Sequence, residues 1–184
     1  MPNEDLSIAL FGGSFDPPHI GHIAIVEGLE KLAYIDKIII MPTFLNPFKS
    51  KSHASAELRF EWLEKIFKDS KNIEISKYEV NQNKKVPTIE SVNYLLTQYK
   101  KVYLVIGADN LKSLRSWTNF EELNTKVEFI IASRDNIEID KSFTILKVVQ
   151  EVSSTALRQN IQKSKLPQKC QEEIYEFYKE TDEK

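Results

Sequence analysis

The chain has 184 residues, 41% hydrophobic and 28% charged, with only 5 Gly and 7 Pro, a globular composition that excludes fibrous and disordered classes. Its 25 Lys and Arg against 27 Asp and Glu give a net charge of -2, which excludes a protein whose work is coating nucleic acid, so any phosphate binding must be local. The single cysteine, Cys170, excludes a disulfide framework, a zinc ribbon and an iron–sulfur site within one chain and points to a cytoplasmic setting, and no apolar run nears the ~18 residues needed to cross a bilayer.

Short β-branched runs at 7–11, 37–41, 72–76, 101–106, 127–132 and 143–149 read as strands. After the first, His22, Ile25, Val26, Leu29, Leu32 and Ala33 share one helical face; after the second, Phe60, Leu63, Ile66 and Phe67 share another. After the third, the stretch 88–99, with Ile89, Val92, Leu95 and Leu96, follows Pro87, a residue suited to the opening turn of a helix. Strands that alternate with helices need long crossovers, which predicts a mostly parallel sheet with helices on both faces: a doubly wound α/β fold. Helical stretches at 154–161 and 167–178, the latter with Ile174, Phe177 and Tyr178 on one side, predict a small C-terminal helical cap. The polar stretches 81–85 and 134–141 read as surface loops, and one domain over 1–184, with 150–184 as its helical end, is expected. In such a sheet ligands bind beyond the carboxyl ends of the strands, so function is expected after Phe11, Met41, Ser76, Ile106 and Val149.

The first strand runs into Gly12-Gly13-Ser14-Phe15-Asp16-Pro17-Pro18-His19-Ile20-Gly21-His22. The glycines allow positive φ and close approach of a phosphate to backbone N–H groups, and the following helix offers its positive end. Neither a G-x-G-x-x-G nor a Walker lysine is present. His19 and His22, three apart at the helix start, project to one side and can donate Nε2–H to phosphoryl oxygens; taken alone, the stretch fits ordinary first-turn histidines equally well. Zinc would need a third ligand, and His53 is the only other histidine. Near the C-terminus Ser153, Ser154 and Thr155 precede a helical stretch as cap and first-turn donors, with Arg158 one turn up from Ser154, an arrangement suited either to polyphosphate or to simple helix capping. Gly107-Ala108-Asp109 ends a strand, so Asp109 can accept from ribose hydroxyls or cap the next helix. Trp117 can stack on a flat ring or belong to the core.

The run 12–22 resembles the signature of the His-x-Gly-His nucleotidyltransferase superfamily, in the form most similar to bacterial nicotinate mononucleotide adenylyltransferases. Further blocks follow in that family's order: 42–49, Val86-Pro87-Thr88, Gly107-Ala108-Asp109 with Trp117, and Val152-Ser153-Ser154-Thr155-Ala156-Leu157-Arg158. The resemblance implies a Rossmann-like fold and transfer of AMP from ATP to nicotinate mononucleotide, with His19 and His22 catalytic. It implies ATP binding by Gly12, Gly13, Ser14, Phe15, Gly107, Asp109, Ser153, Ser154, Thr155 and Arg158. It places nicotinate mononucleotide at Lys49, Thr88, Trp117 and Arg134, with Mg²⁺ carried by ATP and no protein metal ligands. ATP and nicotinate mononucleotide are then the partners, without nucleic acid or membrane, and a homo-oligomer is left open. One departure stands out: where the family often has Pro-Pro-His-Lys, this chain has Asn46-Pro47-Phe48-Lys49, and Phe48 cannot replace a histidine by hydrogen bonding. The alternatives are another member of the superfamily, such as pantetheine-phosphate adenylyltransferase or a cytidylyltransferase, and a non-catalytic nucleotide sensor. A class I aminoacyl-tRNA synthetase is remote, because Lys-Met-Ser-Lys-Ser is missing and the chain has no room for an anticodon domain.

Overall fold

The computed structural model describes residues 5–133 and 138–182. Among these the β-branched runs form six strands: β1 Ser7–Gly13, β2 Lys37–Pro42, β3 Ile73–Ile75, β4 Lys101–Gly107, β5 Val127–Ser133 and β6 Thr144–Lys147. They pair in parallel throughout, in the order β3-β2-β1-β4-β5-β6. Parallel neighbours cannot be joined by hairpins, and the connections from β1 to β5 carry helices α1 Ile20–Leu29, α2 Ala56–Phe67, α3 Tyr78–Gln82, α4 Thr88–Leu96 and α5 Phe120–Lys126, while α6 Ser154–Gln159 and α7 Gln171–Asp182 follow β6. This is the doubly wound, Rossmann-like arrangement expected from the alternating pattern.

The period of two along each strand divides the core into two layers. Ala9, Phe11, Ile38, Ile40 and Val105 face Val26 and Leu29 of α1, Trp62 and Leu63 of α2, and Ile174 and Tyr178 of α7. Ile8, Leu10, Ile39, Met41, Leu104 and Ile106 face Ile89, Val92 and Leu95 of α4 and Leu123 of α5. Burying one such side chain contributes about 1.5–3 kcal/mol, so β1, β2 and β4 form a floor packed from both sides. The C-terminal helical part joins the α1/α2 layer, where Trp62 packs on Phe177 with ring centroids 5.5 Å apart and donates from Nε1 to Glu173 at 3.1 Å.

Several boundaries differ from the sequence reading. β1 runs two residues further, with Gly12 and Gly13 pairing to Met41 and Pro42, while β6 is only Thr144–Lys147. Asn81 and Gln82, expected in a loop, end α3, and α5 has a single buried residue, Leu123, and so no apolar stripe to announce it. The chain leaves β1 toward β2 and β3 and then crosses back to β4 on β1's other side. The strand order therefore reverses between β1 and β4, and the segments after these two strands flank the opening.

Candidate functional site

Beyond β1 the backbone reverses at Phe15, whose φ of 49° is left-handed, whereas no described glycine has positive φ. The expectation that Gly12 and Gly13 supply positive φ is therefore corrected. Both remain extended in the ladder with β2, and their use is the missing side chain, because both line the cleft. A Cβ on Gly12 would meet only Met41 O at 3.8 Å and would stand in open space needed by a ligand. The left-handed turn at Phe15 costs about 1–3 kcal/mol. Its ring repays this by burial, edge-on to Phe11 at 5.3 Å and to His22 at 4.8 Å.

Asp16 and Arg59 hold this turn from below. Asp16 Oδ2 accepts from His53 N–H at 2.8 Å, and Oδ1 accepts from Ala54 N–H at 2.9 Å and from the Tyr178 hydroxyl. Burial alone would raise the Asp16 carboxyl, but the hydrogen bonds from Tyr178, Ala54 and His53 and the Arg59 charge outweigh it and hold it below the usual carboxylate range. Burial and the Asp16 charge push the Tyr178 hydroxyl well up. Arg59, fully buried on α2, donates from Nε to Ala54 O at 3.2 Å, from one terminal nitrogen to Ser14 O at 2.6 Å, and from the other to Thr43 O and Phe44 O at 2.8 and 3.0 Å. One guanidinium thus ties together the segments that follow β1, follow β2 and precede α2. The sequence reading assigned no role to Arg59 or Asp16, and to Tyr178 only a place on the packing side of the C-terminal cap. The signal for Arg59 is its spacing with Trp62, Leu63 and Ile66, which puts a cation inside an apolar stripe.

His19 is the N-cap of α1, and its Nδ1 accepts from Gly21 N–H at 3.1 Å, while the backbone N–H of His19 donates to His22 Nδ1 at 3.1 Å. Each Nδ1 is therefore an acceptor, so each neutral ring carries its proton on Nε2. The rings stack with centroids 3.6 Å apart. Gly21 makes this possible, since a Cβ there would lie 2.9 Å from the His19 ring. His19 is buried and His22 lines the cleft, so the two sit at different depths of one site.

The C-terminal block docks on the same turn. Ser153 caps α6 by accepting from Ala156 N–H at 3.1 Å, and Ser154 Oγ donates to Pro17 O at 2.9 Å. Arg158 donates from one terminal nitrogen to Asp16 O at 2.6 Å and from the other to Thr155 Oγ1 at 3.2 Å. Lys49 belongs to this cationic pole: burial, then the charges of Arg158 and Arg59, lower its amine, with Asp16 opposing. His19, Arg158 and Lys49 are thereby gathered around the Asp16–Pro17 turn.

The cleft proper has a volume of about 490 Å³ and reaches from Gly12, Gly13 and His22 across to Gly107, Asp109, Thr88 and Trp117. Asp109 is exposed at its mouth. A Cβ on Gly107 would lie 2.5 Å from the Asp109 carboxylate, so glycine is what lets that side chain fold back over the strand end. Pro87, the N-cap of α4, makes no side-chain cap bond, and with Thr88 it turns the positive end of the helix toward the cleft. Ser14 turns its carbonyl to Arg59 and Phe15 buries its ring, and neither is among the residues that line the cleft. Arg134 lies outside the described residues. Phe48, at the departure from the family pattern, lines the rim and is 67% exposed. Among the described residues no group of three or more His, Cys, Asp and Glu could hold a metal, and no helix is long and apolar enough to cross a membrane.

The arrangement offers hydrogen-bond donors and cations to a phosphorylated ligand at a topological switch point. Comparison with known proteins agrees. A family model described as cytidylyltransferase-like matches residues 10–160. The chain is 62% identical over 174 residues to a probable nicotinate-nucleotide adenylyltransferase of Sulfurimonas denitrificans, covering 95% of this chain and 96% of that one. It is 46% identical over 176 residues to a probable nicotinate-nucleotide adenylyltransferase of Campylobacter jejuni, covering 94% and 97%. Its fold is similar to that of Plasmodium falciparum nicotinic acid mononucleotide adenylyltransferase complexed with NaAD, with a TM-score of 0.74, 20% identity and 96% of each chain covered, a likeness of fold alone. The family-model match over residues 10–160 spans the histidine turn, the strand ends and the Arg158 helix, and the chain belongs to the nicotinate-nucleotide adenylyltransferase family of cytidylyltransferase-like nucleotidyltransferases.

Proposed function

We propose that the protein transfers the adenylyl group of MgATP to the 5′-phosphate of nicotinate mononucleotide, giving nicotinate adenine dinucleotide and pyrophosphate. The observation that carries this is the stacked His19–His22 pair, held as Nε2–H donors by the start of α1 and set between a cationic pole and a donor-lined cleft. An acceptor phosphate oxygen attacks the α-phosphorus, the bond from that phosphorus to the bridging oxygen breaks, and pyrophosphate leaves with the electron pair. No proton has to move, so catalysis consists of alignment and charge neutralisation.

Arg158, Lys49 and the hydroxyls of Ser153, Ser154 and Thr155 hold the β- and γ-phosphates, and the backbone of 12–15 passes the α-phosphate to His19 and His22. Lys49, expected at nicotinate mononucleotide, is here assigned to the polyphosphate instead, an assignment supported by the nearby Arg158 charge that, after burial, helps lower its amine. Gly107 and Asp109 take the adenosine ribose. Thr88 at the open end of α4 and Trp117 take the pyridine ring and its carboxylate. Mg²⁺ enters with ATP, held by its oxygens and water. The enzyme acts in the cytoplasm, and the chain works as one nucleotidyltransferase unit with ATP and nicotinate mononucleotide as its partners.

The test is pyrophosphate release with MgATP and a panel of acceptors, with the dinucleotide separated by chromatography. Nicotinate mononucleotide should exceed nicotinamide mononucleotide by at least about a hundredfold in kcat/KM, since a surface of donors leaves the amide NH₂ facing another donor. Efficient use of phosphopantetheine and none of a pyridine nucleotide would replace the proposal with the pantetheine-phosphate reading.

A further inference from the structure

Three described side-chain polar atoms are buried without a hydrogen-bond partner: Thr43 Oγ1, Glu79 Oε2 and Trp117 Nε1. All three residues line the one cleft. Buried polar atoms are almost always paired, so three orphans in one cavity mark where a ligand supplies the missing halves. Trp117 Nε1 can only donate and Thr43 Oγ1 can do either, whereas Glu79 Oε2 accepts as a carboxylate and donates once protonated.

Glu79 stands on α3 and is 6% exposed, and its other oxygen, Oε1, accepts from Ser91 Oγ at 2.6 Å. The cations around it are engaged elsewhere. Lys77 pairs with Glu57 of α2 at 2.7 Å, Lys84 with Glu90 of α4 at 3.4 Å, and Lys85 donates to Pro47 O at 3.2 Å. β2, packed against α3, has its one charge, Lys37, at the far end with Glu74. The other titratable groups lining the cleft are His22 of α1 and Asp109 after β4. A carboxyl in this position is stable with its proton on: burial, against the Ser91 bond and helped by the Glu90 charge, pushes it up to about 7.

We infer that Glu79 selects the ring substituent of the acceptor by presenting a proton from Oε2 to an anionic oxygen of the bound molecule. The inference rests on the proposed adenylyl transfer to a pyridine mononucleotide. Protonated, Glu79 joins Trp117 Nε1–H and the open end of α4 in a surface of donors that fits a carboxylate. Ionised, Oε2 repels the carboxylate and instead accepts from a carboxamide NH₂. Selectivity therefore falls as pH rises through the titration of Glu79.

The readout is the ratio of kcat/KM for nicotinate and nicotinamide mononucleotides between pH 6.5 and 8.5, in which the titrations of ATP, the 5′-phosphate and the histidines cancel. The wild-type ratio should fall at least about 20-fold over this range from loss of the protonated form, and up to about 100-fold if the amide acceptor uses the ionised form alone. Glu79→Gln should flatten it, while lowering kcat/KM for the nicotinate acceptor several-fold at pH 6.5. Ser91→Ala should move the midpoint to higher pH, because the Ser91 bond favours the ionised form. Calorimetry of nicotinate mononucleotide binding at pH 7.5, in buffers of different ionisation enthalpy, should show about 0.7 more protons taken up by wild type than by Glu79→Gln. A wild-type ratio independent of pH, or a Glu79→Gln variant with the wild-type slope, overturns the inference while leaving adenylyl transfer standing. Absence of turnover with either acceptor defeats both. If Glu79→Gln does not fold, the wild-type slope and the Ser91→Ala midpoint decide the question.

Discussion

Replacing Arg59 by Met keeps the length of the side chain and removes its charge and all five donors. In the native structure those donors serve four carbonyls, Ala54 at 3.2 Å, Ser14 at 2.6 Å, Thr43 at 2.8 Å and Phe44 at 3.0 Å. A buried acceptor stripped of its partner costs about 1–3 kcal/mol, so simple addition would reach ~12 kcal/mol. The true figure must be smaller, because Ser14, Thr43 and Phe44 are only half-buried and their carbonyls can turn to water. Asp16 also loses the cation that helps keep it ionised. Removing one partner from a buried charged set costs about 3–5 kcal/mol, and this is the expected loss. For a chain of this size it corresponds to a drop in Tm of about 6–20 °C, read by thermal unfolding followed by circular dichroism. Arg59→Lys keeps the charge but not the planar fork, so it should recover part of the stability. Its kcat/KM should still fall at least about tenfold where it is fully folded, since the segments after β1 and β2 lose their common tie. A Tm for Arg59→Met within about 3 °C of wild type would show that these segments hold themselves in place.

His22→Ala should lower kcat by about a hundredfold or more, with little change in ATP binding, and destabilise by about 1 kcal/mol through the lost cap; His22→Asn should restore the cap without restoring kcat, as measured by steady-state kinetics alongside urea unfolding. Arg158→Ala should raise the KM for ATP and weaken pyrophosphate inhibition while the acceptor KM changes little, and the reverse pattern would put the two substrates at opposite ends of the cleft. Asp16 has a depressed folded value, so the stability it contributes is present above the ordinary 3.8 and lost as pH falls through the lower folded value; acid unfolding of Asp16→Asn should be flatter below about pH 4. Glu79 has the opposite sign: its raised value, about 7 against an ordinary 4.5, gives stability that is present below 4.5 and lost as pH climbs to about 7. Glu79→Gln should therefore gain about 3 kcal/mol on wild type between pH 4 and pH 8 in urea titrations.

What could be read in the sequence was what short stretches encode locally. Six strands announce themselves as β-branched runs, four of which, β1, β2, β4 and β5, are largely buried, and the histidine turn does so because its residues are adjacent. The supports of that turn are illegible for the complementary reason. Tyr178 reaches Asp16 across 162 residues and Arg59 reaches Ser14 across 45, and no local pattern records a contact of that kind. The left-handed residue was misplaced because Gly12 and Gly13 are the natural candidates, whereas the turn falls on Phe15, where ring burial outweighs backbone strain. Glu79 sits in a five-residue helix with no period to detect, and only the cavity reveals its orphaned oxygen.

The sequence left open a choice between first-turn histidines and phosphate ligands, and the geometry of the histidine pair is compatible with both. A helix start leaves backbone N–H groups without partners, and here two of them, on His19 and Gly21, are taken by imidazole Nδ1 atoms rather than by serine or aspartate oxygens. An oxygen cap would satisfy the helix equally but would be spent by doing so. An imidazole cap has a second nitrogen, and accepting on Nδ1 forces its proton onto Nε2. Capping α1 is therefore the act that prepares two oriented donors, at no further cost in side-chain freedom because packing has already ordered both rings. Gly21 follows from the same geometry: its Cβ would strike the His19 ring, so the glycine between the histidines is required for space rather than for backbone freedom. The capping role and the proposed catalytic one therefore draw on opposite ends of the same rings.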